Sequence, residues 1–184
     1  MLENGTVING KLVEKPHSFR TACTIATQII AQVASGQFGG QTITLGHLAP
    51  FVRISKNKFI RDTKAEWDAN GFTYTDEQLE NAVRRKLQEE VTAGIQTFQY
   101  QINTLQTSNG QAPFLSVFMY ISEYPEYEEE TVMLIKEMLT QRIQGMKNEV
   151  GAWITPAFPK LLYVTDENNI HEDSKYFWLT QLAA

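Results

Sequence analysis

Apolar residues recur from Leu79 through Val83, Leu87, Val91, Ile95, Phe98 and Ile102 to Leu105 at steps of three and four. That spacing places them on one face of an α-helix for about eight turns. Thr75 and Gln78 stand where a capping box opens such a helix, each side chain reaching the other's backbone N–H. Gly94 interrupts the stripe at a cost of about 1 kcal/mol against alanine, which predicts a close neighbour or a bend there. Upstream, Ala22, Ile25, Ile29 and Val33 keep the same period between Ser18, a predicted N-cap, and Gly36. Residues 48–67 carry Phe51, Ile54, Lys58 and Arg61 in a mixed amphipathic pattern that predicts a helix with an irregular start at Pro50. Residues 4–15, with two Asn-Gly pairs, read as a loop or loose hairpin.

Past the long stripe the pattern changes. Residues 113–121 are apolar, β-branched and aromatic, as in a strand buried on both faces. Helical spacing returns over 127–147 through Val132, Ile135, Leu139 and Ile143, and 158–165 reads as a second buried strand. Asp173 or Ser174 is expected to start a final helix. Strands joined by helical crossovers imply a parallel sheet and an α/β class. Two parallel strands cannot cover both faces alone, so the 184 residues are expected to be one partial domain of something larger. Within it, 1–74 supplies the opening loop and first helices, and 75–184 the long helix followed by β-α-β-α.

Composition narrows the function classes. With 42% hydrophobic residues the chain can build a core, and a net charge of −5 gives no general footprint for nucleic acid or an anionic membrane. No apolar run is long enough to span a bilayer and no signal-peptide layout opens the chain, so a cytoplasmic setting is the default expectation. The lone Cys23 lies among small and apolar residues, where a thiol acts as a small hydrophobe. His17, His47 and His171 are dispersed, and no metal is assigned. Glu126 and Glu128 to Glu130 suit a helix N-terminus, and Arg84, Arg85 and Lys86 beside Glu89 and Glu90 read as an ion-paired, solvated face. The segment Thr107, Ser108, Asn109, Gly110 and Gln111 joins a helix to a strand, where hydroxyl and amide donors flank a glycine that lets backbone approach a ligand.

Three segments carry a resemblance. Residues 27–40, with Gln28-Ile29-Ile30-Ala31-Gln32 and the Gly39-Gly40 exit, lead to Leu48-Ala49-Pro50-Phe51; Asn103 to Phe114 holds the Thr-Ser-Asn-Gly-Gln loop; Ala157-Phe158-Pro159-Lys160-Leu161 follows. In this order they resemble the anaerobic (class III, glycyl-radical) ribonucleoside-triphosphate reductases, which are several times longer. The resemblance implies a piece of a ten-stranded α/β barrel built of two half-barrels in a homodimer. It also implies a parent that binds a ribonucleoside triphosphate substrate and a dNTP effector and uses a glycyl radical, a cysteine thiyl radical and formate as reductant. Structural zinc in the parent's C-terminal part and a radical-SAM activating enzyme belong to the same expectation. The family's reactive cysteine motifs and glycyl-radical motif have no counterpart here, so no catalytic residue is assigned and the chain alone is expected to be inactive.

Carried over by motif, the family's effector contacts fall on Glu14, Gln28 and Lys58, with His17 where a further lysine would stand. Thr107, Ser108, Asn109, Gly110 and Gln111 become the expected substrate side. Two other readings stay open: a free-standing nucleotide-binding regulatory module without catalysis, and a fragment of a related glycyl-radical lyase.

Overall fold

The helix marked by the long stripe runs from Asp76 to Thr104, and its neighbours are set by the glycine inside it. In this computed structural model, which describes residues 1–36, 39–106, 110 and 112–184, the helices are α1 (Phe19–Gly36), α2 (Ala49–Ala69), α3 (Asp76–Thr104), α4 (Glu128–Gln144) and α5 (Phe177–Ala183). The strands are β1 (Thr6–Ile8), β2 (Lys11–Val13), β3 (Gln41–Thr44), β4 (Leu115–Met119), β5 (Met146–Lys147), β6 (Trp153–Ile154) and β7 (Lys160–Tyr163). At Gly94 the ring of Phe19 lies so close to α3 that a Cβ would overlap it, and Cys23 Sγ would stand 3.4 Å away. The glycine therefore serves a close neighbour, not a bend. Phe19, Ala22, Cys23, Val91, Ile95 and Phe98 are all fully buried at this junction.

Both helix starts follow their cap chemistry. The Thr75 hydroxyl accepts from Gln78 N–H at 3.2 Å while Gln78 Oε1 accepts from Thr75 N–H at 2.9 Å, completing the capping box. Ser18 Oγ accepts from Thr21 N–H at 3.3 Å, so Ser18 caps α1. The opening segment is a hairpin: β1 and β2 pair antiparallel with Ile8 opposite Lys11, and Asn9 and Gly10 both take positive φ in the two-residue turn.

The central sheet corrects the reading of the strands. Its order is β3-β4-β7, all parallel, with Thr44 opposite Phe118 and Phe118 opposite Leu162. The strand β3 was not expected; its four residues are too few to display a period, and pairing with β4 makes it a strand. Nor is β4 buried on both faces: Leu115, Val117 and Met119 point into the core, while Phe118 is 38% exposed on the open side. The strand β7 has no buried residue, being the sheet's edge among the described residues.

Two helix boundaries also differ. Gly145 (φ +80) stops α4 short of Lys147, and the chain turns into the β5–β6 ribbon, leaving Ile143 exposed rather than in the expected stripe. Arg142, half-buried, holds that excursion by donating to the carbonyls of Pro156 (2.9 Å) and Pro159 (2.5 Å). The helix α5 starts at Phe177, later than Asp173 or Ser174. Buried Asn169 occupies the preceding residues with bonds to Val164 O (3.0 Å) and Tyr163 Oη (3.1 Å). The acidic run opens α4 as expected, and Glu130 also pairs bidentately with Arg53 of α2 at 2.7 and 2.8 Å.

Gly94→Ala should lower stability by about 1–2 kcal/mol, because overpacking against Phe19 outweighs the gain in helix propensity. Urea unfolding should give that loss in the wild-type background and little or none beside Phe19→Leu. Equal effects in both backgrounds would refute the overlap. Cys23 is fully buried, and burial first, then the Glu90 carboxylate, pushes its thiol well above the ordinary range. The folded state holds this proton more tightly than the unfolded one, so stability falls as pH rises through the unfolded thiol range. Iodoacetamide at mildly alkaline pH should leave Cys23 unmodified until urea is added; native-state alkylation at the rate of a free thiol would contradict this.

Candidate functional site

The first four N–H groups of a helix have no partner within it. In α1 those of Phe19, Arg20 and Thr21 are met by side chains. Phe19 N–H donates to Ser55 Oγ at 2.8 Å, Arg20 N–H to Glu90 Oε1 at 3.0 Å and Thr21 N–H to Ser18 Oγ, and the helix's own ladder begins with Ala22 N–H to Ser18 O at 3.0 Å. Ser55 comes from α2 and Glu90 from α3, so three helices meet at one cap. The Ser55 hydroxyl also lies 3.4 Å from Glu90 Oε1, and the carboxylate complements the positive end of the α1 dipole. Among the described residues Glu90 Oε2 makes no hydrogen bond.

A cleft of about 390 Å³ opens over this cap. Its α1 wall presents Arg20, Thr21 and Thr24, its α2 wall Lys58 and Phe59, and Glu90 closes the floor. Neither Arg20 nor Lys58 has a carboxylate partner among the described residues. Two unneutralised cations beside hydroxyls suit a phosphate-bearing ligand, and the volume falls in the range of small-molecule sites.

Of the residues assigned to the effector, Lys58 lines this cleft. His17 is exposed and directly precedes the cap residue Ser18; Gln28 is exposed on α1, four residues beyond Thr24 and hence on the same face. Glu14 is exposed at the exit of β2. These three do not line the cleft. Arg20, Ser55 and Glu90 were not anticipated. Glu90 in particular was read as an ion-pair partner of the basic run, but Arg84 pairs with Glu80 at 2.9 Å and Lys86 reaches Glu66 at 3.5 Å and Thr63 Oγ1 at 3.0 Å. Of the expected substrate loop, Thr107, Ser108, Asn109 and Gln111 lie outside the described residues; Gly110 takes φ +74, a conformation that favours glycine.

A second cleft, about 700 Å³, sits at the C-terminal end of β3 between residues 1–4, Ile29 and Ile30 of α1, and Tyr124. Gly46 admits the Tyr124 ring, which stacks obliquely on His47 at 5.8 Å, and Thr44 donates its hydroxyl to Glu123. Burial foremost, then Glu123, raises the Tyr124 phenol above its usual range. This second cleft is lined by the carboxylates of Glu3 and Glu126 and by no lysine or arginine side chain, so a polyphosphate is disfavoured there. No helix among the described residues is long and apolar enough to cross a membrane.

The whole chain, residues 1–184, matches the family model described as anaerobic ribonucleoside-triphosphate reductase. The protein of that name from Enterobacteria phage T4 is 34% identical over 187 residues, covering 100% of this chain and 28% of the relative. Its namesake from Escherichia coli (strain K12) is 35% identical over 190 residues, with 100% of this chain and 24% of the relative covered. The namesake from Haemophilus influenzae is 31% identical, covering 100% and 24%. The chain thus spans about a quarter of the length of these curated relatives. It belongs to the anaerobic ribonucleoside-triphosphate reductase family.

Proposed function

We propose that this chain is part of a homodimeric anaerobic ribonucleoside-triphosphate reductase and supplies its effector site for a deoxynucleoside triphosphate. The observation that carries this reading is the pair of unneutralised cations, Lys58 and Arg20, in a hydroxyl-lined cleft at the start of α1. In it Lys58 and Arg20 meet the phosphates; beyond its lining, Gln28 and Glu14 read the base edge and His17 replaces one positive contact. The acidic second cleft lacks such cations, which favours the first.

The loop from Thr107 to Gln111 then serves the ribonucleotide side. A glycyl radical and reactive cysteines elsewhere in the parent would supply abstraction of the ribose 3′-hydrogen, with formate as reductant, a radical-SAM enzyme as activator and zinc in the C-terminal part. Support for a surrounding barrel comes from the sheet: β3 and β7 are edge strands among the described residues, and Phe118 and Leu162 remain 38% and 40% exposed on its open face. Parallel sheets normally have both faces covered.

Hydrogen bonds to charged groups are worth about 1.5–3 kcal/mol, so Lys58→Ala should weaken effector binding roughly 10- to 100-fold with little change in base preference. Gln28→Ala should do the reverse, reordering the effectors with a smaller loss of general affinity, since an amide is directional and uncharged. Calorimetric titration of the full-length dimer with several deoxynucleotides distinguishes these outcomes. Wild-type affinities in both variants would remove the effector site; nucleotide binding without any effect on reduction would favour a regulatory module.

A further inference from the structure

In an Asn-Gly pair the chain can attack itself, because a glycine amide has no side chain to shield it and its backbone turns freely. The sequence holds such pairs at Asn4, Asn9, Asn70 and Asn109, the last outside the described residues. The other three are restrained to different degrees. At the end of α2 the Asn70 amide donates to Glu66 O at 2.7 Å and Gly71 N–H to Asp68 O at 3.1 Å, so both the leaving group and the nucleophile are held. Gly5 lies against the end of β2, where a Cβ would stand 2.8 Å from Val13 O, and has little room to rotate. Asn9 and Gly10 are exposed, and neither the Asn9 side chain nor Gly10 N–H has a hydrogen bond among the described residues. Nothing lies within 4 Å of the place a Gly10 Cβ would take. The hairpin around this turn is weak: β1 and β2 have three residues each, no third strand joins them among the described residues, and Val7 and Leu12 are 58% and 75% exposed. A lone two-stranded hairpin is marginally stable in water, so the turn opens readily and frees the Asn9 backbone.

From this we infer that Asn9-Gly10 is a site of spontaneous deamidation, at which the chain modifies the hairpin that leads into Glu14. Gly10 N, giving up its proton to the solvent, attacks Asn9 Cγ. The new N–Cγ bond closes a cyclic succinimide, and the Cγ–Nδ2 bond breaks to release ammonia. Water then opens the ring. Cleavage of the new N–Cγ bond leaves aspartate in an unaltered main chain, whereas cleavage of the original bond between Asn9 C and Gly10 N leaves isoaspartate, with the main chain routed through Cβ and Cγ. Water is the only co-reactant, and nothing is oxidised or reduced. Aspartate suits the same turn, since Asp-Gly is as natural there as Asn-Gly. Isoaspartate does not: it lengthens the main chain inside a two-residue turn, so Ile8 no longer meets Lys11 and β2 loses its register just before Glu14. Through Glu14 the modification changes which deoxynucleotide is preferred. That last step rests on the effector reading; the modification itself does not.

The full-length reductase, as wild type and Asn9→Gly, is aged at mildly alkaline pH and sampled over time. Gly-Gly suits the same turn, so Asn9→Gly keeps the hairpin while removing the reactive amide. Peptide mapping by mass spectrometry follows each Asn-Gly pair, and protein isoaspartyl methyltransferase with labelled S-adenosylmethionine is the probe for isoaspartate. Asn9 should convert about tenfold or more faster than Asn70, the scale of the two hydrogen bonds that hold the Asn70-Gly71 pair, with Asn4 between them. Calorimetric titration with the common deoxynucleoside triphosphates should then show a changed effector ranking in aged wild type and an unchanged one in aged Asn9→Gly. Conversion of Asn70 before Asn9, or an Asn9 that stays intact while Asn4 and Asn70 react, overturns the site. Conversion of Asn9 to isoaspartate with the ranking of fresh protein retained overturns the link to Glu14, as does an equal change in aged Asn9→Gly. If Lys58→Ala binds nucleotide as wild type does, the effector reading falls, and the mass map still decides the modification on its own.

Discussion

The distance between α1 and α3 is the constraint on which the rest of the structure depends, and it is set by a missing side chain. With only hydrogen at Gly94, the Phe19 ring can lie against the backbone of α3. That contact brings the N-terminus of α1 within reach of Glu90, one helical turn earlier on α3, and of Ser55 on α2. The fully buried apolar residues around it supply the driving force, and the side-chain caps satisfy the polar groups that burial would otherwise strand. The cleft is the space left above this junction, so its shape follows from core packing.

The same junction explains why a carboxylate sits at the floor of this cleft. As a cap, Glu90 complements the α1 dipole and satisfies Arg20 N–H.

Legibility in the sequence followed the range of the interaction. The helix α3 was readable from its stripe and from Thr75 with Gln78, because helical period and capping are local. Ser18 was readable for the same reason. The strand β3 was not, since Gln41 to Thr44 is a strand only through β4, which pairs Gln41 with Leu115. The outward face of β4 was misread because Phe118 is as apolar as its buried neighbours, and a parallel strand destined for cover on both sides looks alike whether or not the cover is present. Glu90 escaped because its partner is a backbone N–H seventy positions away, which side-chain spacing along one helix cannot reveal. Lys58 came from family resemblance; its own helix offered only an amphipathic pattern.

The register of the sheet carries a consequence for synthesis. As the chain leaves the ribosome, α1, α2 and α3 are complete before the first residue of β4 appears, and β7 comes later still. The helical layer with the Phe19–Gly94 contact can form from segments already made, whereas β3 must wait for a partner. Such long-range pairing is intrinsically slow and leaves an unpaired edge at risk of wrong partners. The sequence of β3 is suited to that delay: four residues, three of them polar, present little apolar surface to another chain.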